Sequence, residues 1–163
     1  MEFRFEQLVS ASLETVFRFH ENPAHLSVLH SEWPGFRLLH HEGHIHPGAM
    51  TWIEQTMSGC IPVVLGFRHT IYEPPHRFGE ELIHGPFSLF THIHEFEPMG
   101  ENTVVRDRLT IRLAWQYGGE PVTRLLAAHS IRSLFAFRNL ALERMADNDG
   151  LIQFTASTQL TGN

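Results

Sequence analysis

The stretch from 121 to 146, PVTRLLAAHSIRSLFAFRNLALERMA, contains no glycine, and its only proline stands first, where a helix tolerates one. At about 1.5 Å per residue such a helix runs for about 40 Å, enough to cross a small domain. On a wheel of about 100° per residue its apolar side chains spread widely instead of forming one narrow stripe. Val122, Leu126, Phe137 and Leu140 lie on one flank, and Leu134, Ile131, Met145, Leu142 and Phe135 continue around the girth. The polar arc is confined to Arg132, Asn139 and Glu143. A helix this apolar is expected to be covered by protein over most of its surface. The remaining chain must therefore supply a large concave surface to wrap it.

That surface reads as a sheet. Phe3 and Phe5 alternate with Arg4 and Glu6 over residues 2–9, a strand pattern. Ser10 or Ser12 is placed to cap a short helix with Val16, Phe17 and Phe19 as its apolar contacts. Asn22-Pro23 starts a second short helix that runs to about Leu29, and Trp33-Pro34-Gly35 closes the pair. From Phe36 the period changes to two, with strands at 36–42, 48–57, 61–72, 77–84, 87–97 and 103–114. Turn signals separate them: Gly43 with Pro47-Gly48, Ser58-Gly59, Pro74-Pro75, Gly85-Pro86 and Pro98-Met99-Gly100. Connections this short make consecutive strands antiparallel neighbours. Gly118-Gly119 breaks the sheet before the long helix, and Asp147-Asn148-Asp149-Gly150 ends it. The order is α+β: one strand, two short helices, six strands and a long helix, a seven-stranded antiparallel sheet curled around that helix. One domain over residues 1–146 is expected, followed by a C-terminal tail over 147–163.

Charge and composition remove several function classes. All 12 basic residues are arginine, so neither a lysine Schiff base nor a lysine-dependent phosphate loop is available. A net charge of −6 with scattered arginines offers no footprint for nucleic acid. No apolar run is long enough for a membrane span, and the N-terminus, MEFRFEQLVSAS, does not read as a signal peptide. The single cysteine, Cys60, suits a reducing, cytoplasmic setting and is read as unreactive. No cofactor motif is present.

Several constellations could carry chemistry. His92 and His94 are two apart in a strand and project from one face with Phe90 and Phe96. In an apolar pocket, burial is expected to lower both pKa values and leave neutral imidazoles. These serve either as general base or hydrogen-bond donor, or only as structural groups. Glu80 shares a face with Phe78, Leu82 and His84, and Asp107 with Leu109, Ile111 and Leu113. Arg138 falls on the apolar side of the helix and is expected either to pair with Glu80 or Asp107 or to snorkel at the sheet edge. His40, His41, His44 and His46 invite a metal reading, but no cysteine or acidic triad accompanies them, so they are read as a histidine-rich hairpin without metal. Trp52, Phe67, Ile71, Phe78, Phe87 and Phe90 either fill a core or line a pocket.

Residues 74–113, PPHRFGEELIHGPFSLFTHIHEFEPMGENTVVRDRLTIRL, carry a family resemblance. They combine Arg77-Phe78, Glu80, Gly85-Pro86-Phe87, His92-x-His94 with Phe96, and Thr103 leading to Asp107. With Phe135-x-Phe137-Arg138 downstream, and Glu14-x-Val16-Phe17 and Trp33-Pro34-Gly35-Phe36-Arg37 upstream, the chain resembles the START/Bet v1-like (SRPBCC) superfamily over residues 1–146. The likeness is to its ligand-binding and polyketide cyclase/dehydrase-like branch. Leu82 and Phe90 depart from the usual polar residue and tryptophan, which makes the pocket more apolar.

The resemblance implies a helix-grip fold with a deep cavity between sheet and helix. The function it implies is binding of a hydrophobic small molecule that is lipid-like, aromatic or polyketide-like. The expected ligand-binding residues are Trp52, Phe67, Phe78, Glu80, Leu82, Phe87, Phe90, His92, His94, Asp107, Leu134, Phe135 and Arg138. The entrance is expected near His25 to Trp33 and the loops 58–61 and 98–102. One alternative is a cyclase or dehydratase that uses His92 or His94 as general acid or base, without cofactor or metal. The other is a non-catalytic protein-interaction module, with a homodimer as one possible assembly.

Overall fold

The computed structural model describes residues 1–41, 43–57, 61–147 and 150–151. The Ser58-Gly59 turn, Cys60, the end of the second strand at Glu42, the Asn148-Asp149 turn, the tail 152–163 and the side chains of Leu126 and Ala127 lie outside the described residues.

The chain runs β1 (Glu2–Val9), α1 (Leu13–Glu21), α2 (Ala24–Leu29), β2 (Phe36–His41), β3 (Met50–Met57), β4 (Ile61–Glu73), β5 (Arg77–His84), β6 (Phe87–Met99) and β7 (Asn102–Leu113). A 3-10 turn (Trp115–Tyr117), α3 (Gly119–Val122), a π-helical turn (Thr123–Ala127) and α4 (Ala128–Asp147) follow. The seven strands form one antiparallel sheet in the order β1-β7-β6-β5-β4-β3-β2. The first strand thus closes onto the last, and the other five connections are between sequence neighbours.

Local chemistry explains the helix starts. The Ser12 hydroxyl accepts the Thr15 N–H at the start of α1, and the Asn22 carboxamide oxygen accepts the Ala24 N–H before α2. Val16, Phe17 and Phe19 point from α1 into the sheet. Phe17 meets Phe78 and Phe96 edge-on at ring separations of 6.0 and 5.4 Å. This cluster also contains Val9, Leu29, Ile45, Val105, Leu142 and Leu151. Leu151, beyond the boundary drawn at 146, is 1% exposed. A second cluster joins Phe3, Leu109, Ile111, Ala128 and Phe135 at the other end of the sheet. Between the two clusters the interior is open.

The long helix differs from the sequence reading. It is interrupted by the π-helical turn, and α4 is amphipathic instead of apolar all round: Ala128, Phe135, Arg138 and Leu142 are buried, whereas Leu125 and Leu140 face solvent. A π-helical turn takes more residues than an α-turn, so it rotates everything before it relative to everything after it. A single wheel over 121–146 merges two faces into one broad one. The buried Thr123 accounts for the local geometry. Its Oγ1 accepts the Leu113 N–H at 2.9 Å and donates to the Gly119 carbonyl at 2.7 Å, fastening the turn to the end of β7.

The strand β5 carries a bulge opposite Gly66 and Phe67 of β4. Gly66 pairs with His84 and Phe67 with Leu82, so Ile83 is the extra residue and His84 leaves the inner face that Phe78, Glu80 and Leu82 share. The expected common face of Glu80 and His84 is therefore corrected. On the outer face Trp52 lies across Gly66, where a Cβ would stand 2.8 Å from the indole, and reaches His84 at a ring separation of 5.5 Å.

Candidate functional site

The inward-facing positions of β3 to β7 bring one polar row into an otherwise apolar interior. Thr51 on β3 shares its hydroxyl with His69 Nε2 at 3.1 Å. His69 Nδ1 stands 3.7 Å from Glu80 Oε2 on β5, and Glu80 Oε1 stands 3.6 Å from His92 Nδ1 on β6. His92 Nε2 and Asp107 Oδ1 on β7 are hydrogen-bonded at 2.9 Å. His94 Nδ1 lies 2.6 Å from the same oxygen but off the direction of a hydrogen bond, so this nitrogen, like His69 Nδ1, has no aligned partner. At the outer end His41 Nδ1 reaches the Thr51 hydroxyl at 3.1 Å. The alternation of imidazole and carboxylate follows from strand pairing: His69 faces Glu80, Glu80 faces His92, and His94 faces Asp107.

Burial and these contacts set the charges. For His92, burial alone would lower the pKa, but the Asp107 and Glu80 contacts outweigh it and raise it, contrary to the expected lowering. For His94, burial, with the neighbouring His92 charge, pushes the pKa down to about 3, and the ring is neutral. Burial opposes ionisation of Glu80, yet His92 and His69 bring its pKa down to about 2. Burial likewise opposes ionisation of Asp107, but His94, His92 and Arg138 hold it well below the usual carboxylate range. Glu80, His92 and His94 are the groups that could hold a metal, with donor atoms within 4.8 Å of one another. The histidines at 40–46 do not converge in this way among the described residues, and His46 Nδ1 reaches its own chain at the Pro47 carbonyl.

Beside the row is a cavity of about 140 Å³ between sheet and α4. Phe67, Phe87, Phe90, Phe135, Leu65, Leu109 and Leu134 provide its apolar wall, and Glu80, His92 and Arg138 part of its polar wall. A smaller cavity of about 40 Å³ continues it under α1 and α2, lined by Phe78, His94 and His20, and the two share Leu26, Thr51, Glu80 and Arg138. Leu26, His30 and Trp33 close one side of the larger cavity, and no residue of 98–102 lines either one.

Three of the sequence-derived candidates stand elsewhere. Trp52 is on the outer face, Leu82 sits beside Leu65 and Gly85 just outside the lining, and Asp107 stands behind the two histidines. Leu26, His30 and Trp33 fall in the segment expected at the entrance, whereas sequence reasoning passed over Thr51, Gln55, Leu65 and His69. For His69 a signal was available, since it has the same strand parity as Leu65 and Phe67.

Arg138 is 9% exposed, and its guanidinium lies 4.9 Å from the centre of the Phe135 ring. The expected pairing with Glu80 or Asp107 is not formed: among the described residues Arg138 makes no hydrogen bond or ion pair. Snorkelling does not occur either, because the head group is inside.

This architecture has solved counterparts. Protein TTHA0849 from Thermus thermophilus is 20% identical with a TM-score of 0.67, over 87% of this chain and 97% of its own. Norcoclaurine synthase from Thalictrum flavum, in complex with dopamine and hydroxybenzaldehyde, is 12% identical with a TM-score of 0.64, over 89% of this chain and 85% of its own. Major latex-like protein 151 from Panax ginseng is 11% identical with a TM-score of 0.62, over 90% and 97% respectively. The chain has the Bet v1/SRPBCC-type helix-grip fold. No family model and no curated protein matches the sequence. Within the helix-grip fold the cavity lies between the sheet and the C-terminal helix, which is where the polar row and Arg138 meet. Among the described residues no helix is long and apolar enough to cross a membrane.

Proposed function

We propose that the protein binds a hydrophobic small molecule in the cavity between the sheet and α4. The observation that carries this reading is the cavity itself: about 140 Å³ walled by five phenylalanines and four leucines, in a fold whose interior could otherwise be filled by side chains. Apolar cavities of about 150 Å³ stay dry and take up a benzene-sized molecule. The size therefore favours a compact body of about one ring over a long acyl chain. The Thalictrum flavum synthase, in complex with dopamine and hydroxybenzaldehyde, holds single-ring compounds in the same fold, which supports the reading.

Protein-observed NMR with toluene as probe tests it. Shifts confined to residues lining the cavity, and lost in Leu134→Trp, are the expected outcome. Shifts spread over the surface, or none, would refute it. At a ligand concentration a hundredfold above Kd, binding stabilises by about 2.7 kcal/mol, or about 5–10 °C in Tm for a chain of this size.

The hydrogen bond between His92 and Asp107 favours a second reading, an enzyme of the cyclase or dehydratase type. Because its partners raise the pKa of His92, that residue would serve as general acid at the cavity wall, with Asp107 orienting the ring. Loss of turnover in His92→Ala with ligand affinity retained would support this, and unchanged turnover would end it.

A further inference from the structure

We propose that the ligand is an acid: the cavity takes a compact apolar carboxylate whose anionic group pairs with Arg138. The inference rests on the cavity-binding reading above and adds the chemistry of the head group. Arg138 is the guanidinium shared by both cavities, is 9% exposed, and has no hydrogen bond or ion pair among the described residues. The Phe135 ring covers one face of its planar head but accepts none of its five N–H donors in their plane. The two carboxylates of the site lie against histidines instead: Asp107 is hydrogen-bonded to His92, and Glu80 stands 3.6 Å from His92 and 3.7 Å from His69. A buried charge without a hydrogen-bonded partner is a costly element of a fold unless such a partner arrives with the ligand.

A second observation points the same way. On the wall of the larger cavity, among the described residues, the indole Nε1–H of Trp33 is buried without an acceptor and Gln55 Oε1 is buried without a donor. The wall thus presents a cation and a neutral donor that call for acceptor oxygens on the ligand, and one acceptor that suits a ligand hydroxyl. Arg138 is the only arginine on the wall of the larger cavity among the described residues, so a monoanion matches it better than a phosphate dianion. The planar fork of arginine fits a carboxylate through two parallel hydrogen bonds.

The discriminating experiment is calorimetric titration of the full chain with benzoate, benzamide and toluene. Benzoate is expected to bind at least tenfold more tightly than benzamide, and Arg138→Met is expected to erase that preference while toluene still binds. Arg138→Lys keeps the charge without the fork and should retain part of the preference. Benzoate and benzamide binding equally to the unaltered protein overturns the acid inference while leaving the cavity-binding reading intact, and that comparison needs no variant to fold. Failure of all three probes overturns both. A benzoate preference that survives in a folded Arg138→Met overturns the assignment to Arg138.

Discussion

The neutral histidines of the interior make the fold sensitive to mild acid. Burial, with the repulsion of Arg138 from α4, pushes His30 down to about 3. His94 sits at about 3, with Asp107 from β7 opposing and His92 and Arg138 reinforcing the effect of burial. A histidine whose folded pKa lies below its unfolded value of about 6.5 gives its full stability above that value and loses it as pH falls toward the folded one. At pH 5 the unfolded ring is protonated and the folded ring is not. The loss is then fixed by the unfolded pKa alone, at about 2 kcal/mol per residue relative to pH 7. His30 and His94 together lose about 4 kcal/mol, a large part of a stability of about 5–15 kcal/mol. His20, brought to about 4 by burial, acts in the same direction. His92 has the opposite sign: its raised pKa adds stability as pH falls toward 6.5, is complete below that, and offsets nothing between 6.5 and 5. Urea unfolding followed by far-UV circular dichroism at pH 7, 6 and 5 measures the effect. With m of about 2 kcal/mol per M the midpoint should fall by about 2 M. His30→Phe keeps the stack on Phe36 (ring separation 4.2 Å) and should reduce the fall by about half. A change below about 1 kcal/mol between pH 7 and 5 would show that these rings take up protons in place, and the burial argument would fail.

Two further outcomes follow from packing. Phe17→Ala removes a ring that is 2% exposed and contacts Tyr72, Phe78 and Phe96, so a loss of about 3–5 kcal/mol in the same urea assay is expected. Thr123→Val keeps the volume but leaves the Leu113 N–H without its acceptor, which should cost about 1–3 kcal/mol and speed hydrogen exchange at Leu113. Slow exchange there in the variant would mean that another acceptor takes over.

The strands were readable because their ends are written in glycine and proline. Pro74-Pro75, Gly85-Pro86 and the Pro98–Gly100 turn place β4 to β7 within two residues of their expected ends. The period of two also put Glu80, His92, His94 and Asp107 on inward faces before any contact was known. What stayed hidden depends on shifts of phase. The bulge at Ile83 sends His84 outward, and the π-helical turn at Thr123–Ala127 puts the residues before it out of phase with α4. Neither shift has a local periodic signature. Residues such as Thr51 and Gln55 were missed because a strand threonine or glutamine looks alike whether it faces water or a cavity.

The polar row also has a meaning for how the sheet assembles. In any pair of strands, sliding by one residue exchanges the two faces. For β5 against β6 that slip would move Glu80 away from His92 and break the chain of imidazole and carboxylate neighbours. It would leave buried charges facing phenylalanine on one side and turn apolar side chains toward water on the other. Purely apolar inner faces would tolerate a slip of two residues, which keeps each face inward, far better. The charged ladder thus acts as a ruler for strand alignment, and a variant that makes the row apolar stands to gain stability while losing its single register.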